Sequence, residues 1–324
     1  MKHFAGSSPY LYMPLPPTPL LSYRVFKLHP ASNLSDTIHG SLKNCSVRPN
    51  ASREEEFEAL SYAWGDNTSS SKIELDNNSY LPISANLESF LRYRRQPDQS
   101  VTLWIDAICI NQHDLRERSS QVQAMWKIYL LASRLSIWLG PPSDDSALAM
   151  NALREFTYET TYTKLSSSQE ESTAIRCLLR RAWWFRAWIV QEVAFGAIGV
   201  KHKNAVVRCG SEHITWVQLV ISCARMHVNA LNMRQSFPSV DTVLKLDDLA
   251  SREHDEVTGL SDPYPCQLLR HLAEYRGCLA SDPRDKIYAF IGLWIDASAT
   301  SEKIGANRKT RLTNLHLLSI TRLP

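Results

Sequence analysis

A tryptophan and a glutamate stand four residues apart in Trp188-Ile-Val-Gln-Glu192, so on a helix they share one face. Arg181 and Arg186 come just before them. A carboxylate one turn from an indole and close to guanidinium groups has the chemistry to hold a sugar hydroxyl and a phosphate-bearing ligand. Two more carboxylates follow apolar runs: Asp66 lies beyond Phe57–Tyr62, and Asp106 follows Leu103–Ile105. In an open parallel sheet the loops at the carboxyl ends of the strands form the ligand crevice, so Asp66, Asp106 and Glu192 can meet at one site.

Each of these residues also has a plainer reading. Asp106 could cap a loop or pair with Arg118, and Asp66 could be a turn residue in Trp64-Gly65-Asp66-Asn67. Trp104, Trp126 and Trp138 lie on core elements and read as packing. Trp188 could be packing as well, and Glu192 an ion-pair partner of an arginine. Cys109 and His113 are four apart, but Cys109 sits in an apolar run and reads as a buried, inert thiol. His202 and His213 lack metal-ligand spacing, so no metal is expected. There is no glycine-rich phosphate loop, which argues against ATP or a Rossmann-bound cofactor.

The elements that must position these groups centre on Leu103–Gly140. Leu103-Trp104-Ile105 and Leu135–Leu139 are short apolar runs. Between them Leu115, Val122, Met125, Trp126, Tyr129 and Ala132 form one helical stripe. Strand, helix, strand is a βαβ unit, which implies a parallel sheet covered by helices. Before it, Tyr23–Leu28 alternates like a strand and Ile38–Val47 can pair with it. Phe57–Tyr62 is a strand, and Lys72–Leu75 with Tyr80–Ile83 reads as a hairpin. Ser84 suits the N-cap of a helix burying Leu87, Phe90 and Leu91 and ending near Arg95. Further on, helices are expected over Asp144–Thr157, Glu171–Arg181 and Pro265–Gly277, with a loop over Tyr158–Gln169. Ala205–Cys209 reads as a strand and Ile214 as the start of a helix. Phe237–Pro265 reads as irregular and acidic. Asp282-Pro283-Arg284-Asp285 has the form of a helix start.

Bulk properties bound the function. The 324 residues are 44% hydrophobic and 21% charged, enough for a real core. A net charge of +3 is too small to argue for nucleic acid. No apolar run is long enough for a membrane span. Prolines near the N-terminus argue against a signal peptide. Seven scattered cysteines without a Cys-x-x-Cys pair read as reduced thiols, and the chain is expected in the cytoplasm.

Four blocks carry a resemblance to the fungal heterokaryon incompatibility (HET) domain. They are Phe57-Glu-Ala-Leu-Ser-Tyr-Ala-Trp-Gly-Asp66; Leu103-Trp-Ile-Asp-Ala-Ile-Cys-Ile-Asn-Gln112 with Glu117-Arg118, Gln121-Val122 and Met125; Arg181-Ala-Trp-Trp-Phe-Arg-Ala-Trp-Ile-Val-Gln-Glu192; and Asp282-Pro-Arg-Asp-Lys-Ile-Tyr-Ala-Phe-Ile-Gly-Leu293. The first block usually opens on Tyr, where this chain has Phe57. Many family members continue well past Leu293, and against them the tail here reads as shortened. The expected organisation is a Pro-rich arm over 1–20, a HET domain over 21–210, a mostly helical extension over 211–295 and a weakly patterned tail over 296–324.

The resemblance implies a role in self/non-self recognition ending in growth arrest or cell death. It also implies a fold related to the Toll/interleukin-1 receptor (TIR) domain, an α/β fold with a mainly parallel, flavodoxin-like sheet and helical C-terminal additions. Ser61-Tyr62 and Asp66 look like the first strand and turn of such domains. Trp188 and Glu192 look like the Trp-x-x-x-Glu motif of TIR domains that cleave NAD. On that likeness Glu192 is the catalytic candidate. Trp188, Arg186, Arg181, Asp106, Asp66 and Tyr62 are the substrate-binding candidates, with NAD as substrate and no bound cofactor. The alternative is a module without chemistry that self-associates or docks to an incompatibility partner protein. Neither reading involves nucleic acid or a membrane.

Overall fold

The computed structural model describes residues 8–16, 21–47, 54–65, 69–158, 168–197, 204–233, 238–258, 267–290 and 293. Asp66 and the tail beyond 296 therefore lie outside the described residues, as does most of the expected loop over Tyr158–Gln169.

In chain order the strands are β1 (Ser8–Pro9), β2 (Ser22–Leu28), β3 (His39–Ser46), β4 (Glu58–Tyr62), β5 (Ser69–Leu75) and β6 (Ser79–Ser84). They continue with β7 (Val101–Trp104), β8 (Arg134–Trp138), β9 (Val206–Cys209) and β10 (Glu212–Thr215). All ten join one sheet in the order β1-β6-β5-β3-β2-β7-β4-β8-β9-β10. The heart of the sheet is parallel: β7 and β8 flank β4, and β9 follows β8. Numbered among themselves in chain order, these four strands lie 2-1-3-4, the arrangement of flavodoxin-like sheets. The βαβ unit forms as expected, but β4 sits between its two strands. The order reverses at β4 and β8, which is the switch point of the sheet.

The helices are α1 (Ala85–Arg94), α2 (Asp106–Cys109), α3 (Leu115–Leu131), α4 (Ser146–Tyr158), α5 (Gln169–Leu178), α6 (Ile189–Gly196), α7 (Trp216–Met233), α8 (Pro238–Thr258) and α9 (Gln267–Glu274). Their starts follow local chemistry. Ser84 accepts a hydrogen bond from the Leu87 amide to open α1, and Asp114 accepts from the Arg116 and Glu117 amides to open α3. Ser168 and Glu171 close a capping box on α5. Every residue of α6 is buried, including the polar Gln191 and Glu192 among its apolar neighbours.

Side chains of β4 and β8 alternate between two covered faces. On one face Trp138 packs against Phe90 and Tyr93 of α1 and its edge, and Glu58 pairs with Arg94. On the other, Ser61 reaches α6 and Leu135 lies under Gly196. Both central strands are thus buried on each side apart from Arg134, and their apolar residues are interrupted by Glu58, Ser61 and Ser136.

Three segments differ from the sequence expectation. Phe237–Pro265 was expected to be irregular, yet α8 spans Pro238–Thr258. Its buried residues Val240, Val243, Leu246, Leu249 and Ala250 recur at helical spacing, and its acidic residues fill the spaces between them. Ile214 was expected to open a helix. It lies instead in β10, which pairs with β9 across a turn at Gly210, where φ is +56°. The third differs only by an addition: the described part of the Pro-rich arm is extended, as expected, and it also contributes an edge strand, β1, parallel to β6.

Arg24 ties this arm to the core. Its guanidinium, only 1% exposed, pairs with Glu117 at 2.5 Å and donates to the carbonyls of Cys109 and Met13. Its own ring partner is Tyr12, 5.0 Å away.

Gly40 of β3 lies so close to Phe26 of β2 that an added methyl would overlap the buried ring. Gly40→Ala is expected to destabilise the fold by about 1–3 kcal/mol, an overpacking effect that urea denaturation would measure. An unchanged midpoint would show that the β2–β3 pair relaxes freely.

Candidate functional site

Glu192 is held by three neighbours that come from distant parts of the chain. Its side chain is 1% exposed and faces Arg186, with the guanidinium nitrogens 3.3 and 3.4 Å from its two oxygens. Ser61 of β4 donates its hydroxyl proton to Glu192 Oε2 in a short hydrogen bond. The Trp183 indole N–H in turn donates to Ser61 Oγ at 2.7 Å. Trp183 lies in the 3-10 turn Ala182–Phe185 and Arg186 in the extended residue that follows, so the turn presents both groups to the end of β4.

Asp106 opens α2 just past the carboxyl end of β7. One oxygen accepts from the Ala107 amide at 2.7 Å and the other from the Trp64 indole N–H at 2.9 Å. Burial pushes the Asp106 carboxyl up to about 6; Arg186 pulls it down and Glu192 pushes it further up. Burial opposes the charge on Arg186, but Glu192 and Asp106 together overcome that and raise its pKa. Tyr62 and Tyr129 lie in the same field, and burial holds both phenols well above the ordinary tyrosine range. Among the described residues Glu192 alone pairs with the Arg186 guanidinium, while Asp106 acts on it through space.

Of the residues singled out from sequence, the structure pairs Glu192 with Arg186, and Asp106 and Tyr62 lie in the electrostatic field of that pair without hydrogen-bonding to it. It places Arg181 elsewhere. That guanidinium binds the backbone beyond β8, donating to the carbonyls of Leu139, Pro141 and Ser143 and to Ser143 Oγ. Trp188 shares a helical turn with Glu192, but its indole donates to Asp285 Oδ2 at 3.1 Å. This bond joins the third sequence block to the fourth. The backbone adds a tie just ahead of the fourth block, where Leu279 bridges to Arg186 in parallel fashion. Asp106 makes no pair with Arg118 in this arrangement; its partners are Trp64 and the Ala107 amide. Cys109 is fully buried and burial pushes its thiol up to about 12, as an inert thiol requires.

The sequence reading missed Ser61 as the partner of Glu192, and Trp183 as the indole nearest the carboxylate. The signal for Ser61 was a polar residue inside an otherwise apolar strand. Such a residue, if buried, needs a partner. Among the described residues no group of His, Cys, Asp and Glu is placed to hold a metal ion, and no helix is long and apolar enough to cross a membrane.

Fold and cluster together define an α/β domain that buries a carboxylate–guanidinium pair at the switch point of its parallel strands. Comparison with known proteins places that domain. The family described as Heterokaryon incompatibility protein (HET) matches residues 57–192, a span that opens just before β4 and closes on Glu192. Ser61, Asp106, Trp183, Arg186 and Glu192 all fall within it. Heterokaryon incompatibility protein 6, OR allele, of Neurospora crassa is 38% identical over 154 residues, covering 44% of this chain and 22% of that relative. Residues 57–192 are thus similar to the HET family, and the match spans about a fifth of the curated relative's length. No solved structure matches it.

Glu192→Ala would leave the largely covered Arg186, 18% exposed, without its carboxylate partner. A loss of about 3 kcal/mol or more in unfolding free energy is expected, because removing one member of a buried pair strands the other. A loss below about 1 kcal/mol would mean that the pair is solvated.

Asp106 gives a pH test. Its folded pKa of about 6 lies above its unfolded value, so folded protein keeps a proton that unfolded chain gives up. The contribution of Asp106 to stability is therefore greatest below pH 4 and falls as pH rises to about 6. Asp106→Asn, which keeps an acceptor for Trp64, should gain on wild type across that window and hold its gain above it. A difference between the two that is flat with pH would count against a buried, proton-retaining carboxyl.

Proposed function

We propose that this chain acts in heterokaryon incompatibility, in self/non-self recognition that ends in growth arrest or cell death. We further propose that it acts through protein association, with the Glu192 cluster as a structural keystone. One observation carries the second statement. Glu192 is closed off, 1% exposed, with both oxygens facing Arg186 and one also accepting from Ser61. A sugar hydroxyl would have to displace a guanidinium and a hydroxyl together to reach it. The pathway is supported by the likeness to an incompatibility protein of Neurospora crassa.

Association has a surface to use near this cluster. Phe185 and Leu279, joined by a backbone hydrogen bond, are 38% and 64% exposed. Ile287 and Tyr288, on the helical segment over 285–290 whose Asp285 holds Trp188, are 52% and 39% exposed. Large apolar side chains gathered on one exposed region favour a protein contact.

A second reading is cleavage of NAD at the nicotinamide–ribose bond, in a form where the cluster has opened. What favours it is position: Asp106, Arg186 and Glu192 meet at the switch point, where open α/β sheets bind ligands, and the acid there is strongly perturbed. Nicotinamide would depart as a neutral group while positive charge develops on the ribose. Glu192 would accept hydrogen bonds from the ribose hydroxyls, stabilise that charge, and leave water to capture it. Arg186 would have to leave Glu192 to meet the diphosphate.

Glu192→Gln separates the readings, because the amide preserves shape and an acceptor for Ser61. Wild type and variant are given NAD, as isolated and as forced oligomers, and nicotinamide is followed by chromatography. Death on expression in a fungal host is scored in parallel. Association alone expects no nicotinamide from any form and a variant that still kills. Release by wild type that Glu192→Gln abolishes, together with loss of killing, would overturn that reading and establish the enzyme.

A further inference from the structure

On the opposite face of the sheet from Glu192, beside α1, the carboxyl ends of β4 and β7 border a cavity of about 590 Å³. This is the size of a small-molecule site, which typically runs about 300–1,000 Å³. Its walls are unusually aromatic: Tyr10 and Tyr12 from the N-terminal arm, Tyr62 and Trp64 from the end of β4, and Tyr80 from β6. Asn111, Gln112 and His113, from the turn between α2 and α3, add polar groups, and Leu11, Leu81, Ile83 and neighbouring small or proline residues supply the rest of the lining. Among the described residues no lysine, arginine, aspartate or glutamate lines it.

The rings are fixed from behind. The Trp64 indole is 38% exposed, yet its N–H is held by Asp106. The Tyr12 hydroxyl donates to the Ile108 carbonyl at 2.8 Å, and Tyr10 stands edge-on to Tyr12 at 5.0 Å. Lys72 lies over the Tyr80 ring at 5.5 Å. β1 carries the arm into place through its pairing with β6, where the Tyr10 amide donates to the Tyr80 carbonyl. Gln112 is oriented by its own bond to the Asp106 carbonyl, and among the described residues its amide oxygen and the His113 imidazole make no hydrogen bond.

We propose that this cavity is a binding site for a neutral, planar heteroaromatic ring, the base of a nucleoside. Rigid aromatic walls stack on a flat π-system. The amide of Gln112 and the imidazole of His113 offer acceptor and donor groups to the edge of a base, which carries both. The absence of cations from the lining argues against a phosphate inside the cavity. An aliphatic ligand would leave those polar edges unmatched. The position fits too, since the crevice outside the carboxyl ends of parallel strands is where such sheets hold ligands. The proposal goes beyond the reading of Glu192 and stands whether or not that residue does chemistry.

The test is titration of purified wild-type protein with adenosine, followed by calorimetry and by saturation-transfer NMR. The expected result is saturable, one-site binding in which base protons receive more saturation than ribose protons. Trp64→Ala should weaken it about tenfold or more, in line with the loss of one stacking partner. His113→Ala, at an exposed position, should weaken it as well and serves if the Trp64 variant folds poorly. No saturable binding by folded wild type would overturn the proposal. So would equal binding of ribose without a base, or affinity unchanged in both variants. Displacement of adenosine by a proline-rich peptide of higher affinity would also overturn it, in favour of a peptide groove.

Discussion

A carboxylate that is 1% exposed cannot be left alone, and Glu192 sets the terms for its surroundings. An isolated buried charge is far costlier than a paired one, so α6 can enter the core only if a guanidinium and a hydroxyl accompany it. Arg186 supplies the first from the residue just before the helix turn. Ser61 supplies the second from the middle of the sheet, where an apolar residue would otherwise sit. Trp183 then satisfies the Ser61 oxygen. Three segments are fixed by one charge: the central strand, the tryptophan-rich turn and the buried helix. The backbone bridge from Arg186 to Leu279 and the bond from Trp188 to Asp285 extend that fixation to the fourth sequence block and the residues just ahead of it. The spacing of the blocks along the chain thus has a physical origin, since all four abut one cluster or its immediate support.

How much of this could be read from the sequence depends on whether the information was local. β4, β7 and β8 announced themselves because burial on both faces demands largely apolar runs. The cap at Ser84 and the hairpin over Asp76–Asn78 are chemistry of adjacent residues. α8 was hidden, because its polar residues outnumber its buried stripe and mask the period of Val240, Val243, Leu246 and Leu249. β10 was hidden because four residues are too few to show alternation, and its pairing depends on β9 and a left-handed Gly210. The candidate site divides in the same way. Glu192 and Arg186 are six residues apart and could be associated by eye. Ser61 is 131 residues from Glu192, and only folding brings them together. The motif spacing that joined Trp188 to Glu192 was right about the helical turn, but it could not say which way the indole would reach.

Asp106 joins the two features of the carboxyl edge. On one side it shares the field of Arg186 with Glu192; on the other it holds the Trp64 indole at the wall of the aromatic cavity. A change in its charge is felt by both. Ionised, it adds its field to that of Glu192 at the guanidinium and strengthens its grip on the indole N–H. Protonated, it leaves Arg186 to Glu192 and accepts more weakly from Trp64. Because burial holds its proton to about pH 6, this exchange falls close to physiological conditions rather than far below them. The cluster and the cavity lie on opposite faces of the sheet, yet they are not independent. Asp106 is common to them, for it hydrogen-bonds a wall residue of the cavity and lies in the electrostatic field of the cluster.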